Sequence, residues 1–226
     1  MAVLTIRIVP DPVLFKKARK VAKITPGHKK LAEDMVETMH ENSGVGLAAN
    51  QVGSLEKIAV IQTPDMEDAM VLVNPEIVKH EGEREIEEGC LSVPGWRGIV
   101  TRSETVQARY MGLDGKRTKI NADDLLAQAL EHEIDHLNGI VYTDHLLSHS
   151  SEHFYKIPEP TEEEGQEEGS GHDPNSEFEA LHRRLHGQTE EGEGEALEPE
   201  IVAEPVPAGQ NAPISGDQSR FLDEGQ

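Results

Sequence analysis

The chain has 226 residues and a formal net charge of −22, with 43 acidic and 21 basic side chains. This acidity opposes binding to the phosphate backbone of nucleic acids, so no direct nucleic-acid binding is expected. No apolar run approaches the ~20 residues that span a bilayer, the first residues lack the pattern of a signal or transit peptide, and one cysteine allows no internal disulfide. A soluble cytoplasmic protein with no membrane contact is expected.

The acidity is unevenly distributed along the chain. Residues 157–226 carry 19 acidic and 3 basic side chains, whereas residues 1–156 carry 24 and 18. The last third is rich in Glu, Gly, Pro, Ser and Gln, a composition typical of disorder. We therefore predict a globular domain over residues 1–156 and an acidic, disordered tail over 157–226. Within the tail, Ser176–Leu185 has a helix-capping pattern with Phe178 and Leu181 on one face, but so short a helix needs a partner surface.

Two helices are predicted where apolar residues recur at helical spacing with charged residues between them. The first covers His28–Asn42 and is followed by a glycine-containing loop. The second begins after Asn121, which is a favourable N-cap with acidic residues behind it, and ends at Asn138-Gly139. The second helix carries the strongest functional motif of the chain.

Short apolar runs bounded by Pro, Asn or Gly predict strands between the helices. They are Lys57–Ile61, Met70–Val73 and Thr105–Tyr110, the last followed by a hairpin turn at Leu113–Lys116, with more short strands beside Cys90 and Ile99–Val100. Strands and helices do not alternate regularly, which favours an α+β domain over a doubly wound sheet. We expect mixed or antiparallel sheets of short strands packed around a central, metal-binding helix.

The motif is the pentapeptide His132–His136, read HEIDH. Two histidines four positions apart lie on one face of a helix and can bind a single ion, and Glu133 between them can reach a water on that ion. Short motifs also arise by chance in acidic helices, but this helix is predicted without using the motif. The pattern indicates a metal-dependent hydrolase, which needs a third protein ligand and an open coordination position.

The third ligand is not given by the motif itself. The longer protease pattern HExxHxxGxxH matches up to Gly139, but its next ligand position holds Tyr142, and His145 lies three residues further on. A metzincin protease is therefore not indicated. Cys90 and a downstream Glu both remain candidates, although a lone cysteine is more often a small buried apolar side chain.

Three segments of the chain carry a family resemblance. GVGLAANQ at residues 44–51, EGCLSVP at 88–94 and HEIDHLNG at 132–139 resemble the three signature motifs of the peptide deformylases, in the same order. The resemblance extends over about residues 4–150 and identifies residues 1–156 as the catalytic domain.

The resemblance implies a metal centre and a set of catalytic roles. Cys90, His132 and His136 would hold one divalent ion, Fe²⁺ in the family, with Ni²⁺, Co²⁺ or Zn²⁺ able to substitute. A water would take the fourth position, and Glu133 would act first as general base and then as general acid.

The resemblance also implies the reaction. The metal-bound water would attack the formyl carbon of an N-formylmethionyl nascent peptide and release formate, a step of N-terminal methionine processing in protein biosynthesis. Gln51 and the backbone N–H of Leu91 would stabilise the oxyanion. A monomer in transient contact with the ribosome is expected.

Four residues are candidates for binding the substrate peptide. Gly44 and Gly46 lack side chains, so their backbone can approach a ligand closely, although Gly44 serves a plain turn equally well. Arg97 would shape the substrate groove by resemblance, and a surface charge is an equal alternative. Leu125 would line the methionine pocket, with simple core packing as its alternative.

The chain departs from the family after Leu146. The family continues there into a long helix, whereas Ser148–Tyr155 is short and polar and the acidic tail follows. One hypothesis is that the tail weakens contact with polyanionic ribosomal RNA. A second is that the tail docks over its own groove through Phe178 and Leu181.

Two other functions remain open at this point. The chain could be a different metallohydrolase such as a peptidase, or a non-catalytic interaction protein whose tail does the binding. An assay that compares formyl-Met peptides with internal amide bonds separates the first alternative from a deformylase.

Overall fold

A computed structural model describes residues 2–148, 150 and 152–157 of the chain. The predicted short helix at Ser176–Leu185 and the tail after Ile157 lie outside these residues. Within the described part, no helix is both long enough and apolar enough to cross a membrane.

The described residues form two α-helices and eight strands. In chain order they are α1 (Pro26–Glu41), β1 (Gly46–Ala48), β2 (Ile58–Ile61), β3 (Met70–Glu81), β4 (Arg84–Cys90), β5 (Val93–Arg102), β6 (Thr105–Met111), β7 (Arg117–Asp123), α2 (Asp124–Asn138) and β8 (Phe154–Lys156). Short 3₁₀ turns follow β1 at Ala49–Val52 and α2 at Tyr142–His145.

Helix α1 begins two residues before its predicted start. Thr25 is the N-cap, and its hydroxyl oxygen accepts a hydrogen bond from the His28 N–H at 3.4 Å. In return, the Thr25 N–H donates to Nδ1 of His28 at 3.0 Å. Pro26 occupies the first helical turn, where a missing N–H costs nothing. The Thr25-Pro26 pair therefore marks the start of this helix better than the spacing of its apolar residues does.

The strands form two antiparallel sheets. The larger has the order β1-β2-β3-β6-β7 and the smaller has the order β4-β5-β8. Every pairing between these strands is antiparallel. The predicted α+β class is confirmed, and the choice between mixed and antiparallel sheets resolves to antiparallel.

Helix α2 begins at Asp124, so the prediction of Asn121 as its N-cap is wrong. Asn121 lies in β7, where its side-chain oxygen accepts a hydrogen bond from Nε2 of Gln107 at 2.8 Å. The β6–β7 hairpin keeps its register as far as the pair Thr105 and Asp123. Because residues up to Asp123 are paired in the sheet, α2 begins later than predicted. The C-terminal end of α2 lies where it was predicted, because Gly139 adopts φ +81° in the left-handed region and ends the helix.

The larger sheet has a hydrophobic core on each face, and β2 contributes to both. Ile58 and Val60 pack in the cluster that contains α1 residues, whereas Ala59 and Ile61 pack in the cluster that contains Leu130 of α2. Alternate residues of a strand point to opposite faces, so the sheet lies between the two helices. Leu130 is fully buried, and a buried leucine stabilises the fold by about 1.5–3 kcal/mol. This packing fixes α2 in the centre of the domain.

The segment that follows the second 3₁₀ turn ends in the short strand β8. Phe154 is fully buried and its ring stacks on Trp96 with centroids 4.6 Å apart. Strand β8 pairs with β5 in the register that joins Trp96 to Lys156. The chain therefore reaches Ile157 along the edge of the smaller sheet.

Candidate metal centre and active site

Helix α2 and the end of β4 bring three metal-binding side chains together. The rings of His132 and His136 lie on one face of α2 with centroids 4.8 Å apart. Cys90 ends β4, and its Sγ atom lies 3.1 Å from Nε2 of His136. One ligand atom from each of the three residues lies within 4.8 Å of the others.

The three side chains suit a divalent ion. A tetrahedral ion with ligands at ~2.0–2.3 Å separates its ligand atoms by ~3.3–3.7 Å. The observed spacing is compatible with this geometry after small side-chain adjustments. A thiolate and two imidazoles are donors that Zn²⁺, Fe²⁺, Co²⁺ and Ni²⁺ all accept. Cys90, His132 and His136 could therefore hold a single ion.

A buried carboxylate orients the first histidine. Oε2 of Glu88 lies 2.9 Å from Nδ1 of His132, which leaves Nε2 of that ring for an ion. Arg102 donates two hydrogen bonds to the same carboxylate, from Nε at 2.8 Å and from Nη2 at 3.1 Å. Nη1 of Arg102 also donates to Asp135 at 2.6 Å, and Asp135 accepts from His145 at 3.0 Å.

This buried network was not found from the sequence. Glu88 stands inside the EGCLSVP motif, next to the residues that were singled out, so a signal for it existed. Arg102 offered none, because it lies 14 residues from Glu88 in the sequence and outside the three motifs. Burial alone would raise the pKa of the Glu88 carboxyl, but its bonds to His132 and the charge of Arg102 prevail and hold that pKa at about 2.

Cys90 is placed to ionise. Burial would raise the pKa of its thiol, but the charge of His136 and the hydrogen bonds and charge of His132 outweigh burial and bring that pKa well below its usual range. The thiolate is the form of cysteine that binds metal ions. The pocket therefore favours the ligand form of this side chain.

Glu133 is a buried carboxyl group beside the three candidate ligands. Its side chain is 3% exposed, and burial raises its pKa to about 7. Among the described residues, its Oε2 atom has no hydrogen-bond partner. A Cβ atom on Gly46 would lie only 2.9 Å from Cγ and Cδ of Glu133. Glycine at position 46 thus makes room for this carboxyl.

Hydrogen bonds hold the Gln51 side chain with its amide nitrogen towards Cys90. Its Oε1 atom accepts from the Ala48 N–H at 2.7 Å. Its Nε2 atom donates to Oγ of Ser92 at 3.2 Å and to Sγ of Cys90 at 3.4 Å. Leu91 lies in the tight turn between β4 and β5, directly after Cys90. Both residues predicted to stabilise an oxyanion thus lie beside the sulfur atom.

One cavity of about 690 Å³ opens onto this group of residues. Of the ten residues predicted for the site, nine line it: Gly44, Gly46, Gln51, Cys90, Leu91, Arg97, Leu125, His132 and Glu133. The tenth, His136, is fully buried behind the wall.

The predicted substrate-binding residues differ in their surroundings. Leu125 is 39% exposed and lies in the cavity wall, so it is not a core residue. Arg97 is half-exposed, and its guanidinium lies 3.7 Å from the carboxylate of Glu87 at the cavity rim. Trp96 stands beside Arg97 in the same wall. These positions offer apolar and charged contacts to an extended ligand.

The chain is similar to a family of known proteins. Residues 3–152 match the family model described as polypeptide deformylase. A peptide deformylase from Dehalococcoides mccartyi is 49% identical over 153 residues, which cover 68% of this chain and 92% of that protein. One from Finegoldia magna is 46% identical over 158 residues, covering 70% of this chain and 98% of that protein.

Solved structures show the same similarity. The crystal structure of a peptide deformylase from Legionella pneumophila matches with a TM-score of 0.63 and 43% identity, over 64% of this chain and 86% of that one. A peptide deformylase from Synechococcus elongatus, in complex with actinonin, matches with a TM-score of 0.62 and 36% identity, over 64% and 79%.

Proposed function

The chain belongs to the peptide deformylase family, and we propose that it removes the formyl group from the amino-terminal methionine of nascent polypeptides and releases formate. One observation carries this proposal: a cysteine from β4 and two histidines from α2 meet beside a buried carboxyl group that faces a single cavity. The complex of a related enzyme with actinonin supports a ligand site in this family.

In this proposal Cys90, His132 and His136 hold one divalent ion, Fe²⁺ by resemblance to the family, with Zn²⁺, Ni²⁺ or Co²⁺ as alternatives. When bound, such an ion acts as a Lewis acid and can lower the pKa of a water molecule to ~7. Glu88 keeps the His132 ring in the orientation that presents Nε2, and Arg102 keeps Glu88 in place.

Glu133 moves the proton. Its carboxylate takes a proton from the attacking water and, once protonated, donates it to the leaving nitrogen. A pKa near the working pH suits a group that must do both, and burial raises the pKa of Glu133 to about 7. Because Gly46 has no Cβ, the carboxyl can stay at the cavity wall.

Charge that develops on the formyl oxygen is stabilised by Gln51 and Leu91. The Gln51 amide cannot turn freely, because its oxygen accepts from the Ala48 N–H. Its NH₂ group is therefore a donor in place before the reaction, which lowers the barrier more than a donor that must reorient. The Leu91 N–H is the second donor in this proposal.

The substrate peptide occupies the cavity that these residues line. Leu125 supplies apolar contact for the methionine side chain, the backbone at Gly44 and Gly46 approaches the peptide, and Arg97 shapes the groove. Residues 1–156 form the catalytic domain in this proposal, and the tail 157–226 takes no part in the chemistry. The enzyme acts as a cytoplasmic monomer that meets nascent chains in transient contact with the ribosome.

The proposal is tested by purifying the full chain without oxygen and measuring its metal content together with formate release from a formyl-Met peptide. We expect about one bound divalent ion per chain and release of formate, with no cleavage of internal amide bonds in the same peptide. Cleavage of internal bonds would support the peptidase alternative. Formate release that persists after complete metal removal would contradict the proposed metal centre.

A further inference from the structure

A chain of hydrogen bonds joins the partly exposed His145 to the candidate ligand His132. Nε2 of His145 lies 3.0 Å from Oδ2 of Asp135, and Nη1 of Arg102 donates to that same oxygen at 2.6 Å. Arg102 also donates to both oxygens of Glu88, and Oε2 of Glu88 lies 2.9 Å from Nδ1 of His132. The five side chains therefore form one connected network with Arg102 at its centre.

The groups in this network fix the direction of its hydrogen bonds. Asp135 and Glu88 form ion pairs with Arg102, and an ionised carboxylate only accepts hydrogen bonds. Nε2 of His145 and Nδ1 of His132 must therefore both carry a proton and donate it. Each carboxylate thus lies between the guanidinium and one histidine ring.

Exposure to solvent increases along the network from Glu88 to His145. The side chains of Glu88 and Arg102 are 2% and 5% exposed, whereas those of Asp135 and His145 are 20% and 36% exposed. A carboxylate that reaches solvent can exchange a protein partner for water at a small cost. The position of Asp135 therefore depends on both of its partners, and His145 is the one at the surface.

The backbone around His145 is anchored to the strand that carries Arg102. His145 ends the second 3₁₀ turn, and the next residue, Leu146, forms an antiparallel bridge with Val100 of β5. Val100 is fully buried and lies two residues before Arg102 in that strand. The sheet thus sets the position from which the His145 ring reaches Asp135.

We propose that His145 is a positioning residue of the metal centre, which acts through Asp135 and Arg102. By holding Asp135, it keeps the Arg102 guanidinium in the place where it supports Glu88. Glu88 in turn keeps the His132 ring in the orientation that binds the ion. This inference rests on the proposed function, because it assumes that His132 is a ligand. His145 itself contacts neither the ion nor the substrate in this proposal.

The test measures how fast Zn²⁺ leaves the full chain. Each protein is loaded with Zn²⁺ and mixed with an excess of a chromophoric chelator, and formate release is assayed in parallel. His145→Phe and His145→Leu remove the donor, whereas His145→Gln keeps an N–H donor of similar reach. The matched control is His80→Phe, because Nδ1 of His80 lies 3.1 Å from Glu131, a carboxylate that precedes His132 on α2. His145→Phe is also combined with Glu88→Gln.

We expect His145→Phe and His145→Leu to release Zn²⁺ about fivefold faster than the unsubstituted chain, which is the effect of about one hydrogen bond. His145→Gln and His80→Phe should keep the unsubstituted rate. Glu88→Gln should release Zn²⁺ about 10–100-fold faster. Adding His145→Phe to Glu88→Gln should change the rate no further, because the route to His132 is already broken.

The inference would be overturned by unsubstituted release rates in His145→Phe and His145→Leu, or by a His145→Gln protein that releases Zn²⁺ as fast as they do. Equal acceleration by His80→Phe would overturn it as well, because any loosening of α2 would then suffice. A further fivefold acceleration in the Glu88→Gln background would show that His145 acts by another route.

The proposed function would stand in each of these cases, since the unsubstituted chain would still bind the ion and release formate. An unsubstituted chain that binds no divalent ion would instead overturn the proposed function, and the inference with it.

Discussion

The Oε2 atom of Glu88 lies 2.9 Å from Nδ1 of His132, which leaves Nε2 of that ring for an ion. A carboxylate in this position fixes the ring orientation and makes the opposite nitrogen a better ligand. Replacing Glu88 with Gln should lower metal affinity by about 10–100-fold. Competition with a chelator, followed by metal analysis, measures the change.

The matched control for this variant is Glu85→Gln, an exposed position on the same strand. It removes the same charge without touching a candidate ligand, so its metal affinity should equal that of the unsubstituted chain. If the Glu88→Gln protein bound the metal as tightly as the unsubstituted chain, the His132 ring would not need the Glu88 carboxylate to orient it.

Arg102 should be far more important for stability than its charge alone suggests. Its guanidinium is buried between Glu88 and Asp135, and removing it leaves a buried carboxylate uncompensated. Arg102→Ala should lower the free energy of unfolding by about 3–5 kcal/mol in urea titrations. Arg109→Ala, which breaks an exposed pair with Glu76, should cost no more than about 1 kcal/mol. Similar losses in the two variants would contradict this account of the buried network.

Gly46 should tolerate no side chain. In Gly46→Ala, the new Cβ would lie 2.9 Å from two carbons of Glu133 and displace its carboxyl. A displacement of about 1 Å at a catalytic group can cost about 100-fold, so kcat for formate release should fall by at least that factor while metal content stays unchanged. Gly27→Ala in α1 meets only an ordinary contact at 3.5 Å and should keep full activity. Full activity in the Gly46 variant would remove Glu133 from its assigned role.

The contacts of Glu76 with Lys20 and Arg109 should make the free energy of unfolding fall as the pH is lowered. Hydrogen bonds from Lys20 and Arg109 lower the pKa of Glu76 from 4.5 to about 2. A lowered carboxyl pKa stabilises the fold above the unfolded-state value, and this stabilisation is lost as the pH falls towards 2. Glu76→Gln should therefore unfold at lower urea than the unsubstituted chain at pH 7, with the difference shrinking below pH 4.5 and at high salt. A difference that stays constant from pH 7 to pH 3 would contradict this assignment.

The sequence predicted the parts of the site that lie within short motifs. His132, Glu133 and His136 follow from helical spacing, and the motif that contains Cys90 gave a third candidate ligand. The structure brings the sulfur atom and the two rings together. What spacing could not give is the distance between β4 and α2, which depends on how the two sheets pack around that helix.

The parts that the sequence missed depend on pairing between distant residues. The Arg102 side chain bonds Glu88, which lies 14 residues away in the sequence. Asn121 stays in a strand because β6 and β7 hold their register to the start of α2. Phe154 lies in a strand that is held by stacking of its ring on Trp96. Local propensity carries none of this information, since each partner is far away in the sequence.

The proposed function requires the Cys90 sulfur atom and the His132 and His136 rings to bind the same ion. X-ray absorption at the metal edge of the anaerobically purified full chain measures this coordination. We expect one sulfur ligand at ~2.3 Å and two imidazole nitrogens at ~2.0–2.1 Å, with the sulfur missing in Cys90→Ala. A coordination shell without sulfur in the unsubstituted chain would rule out the proposed metal centre.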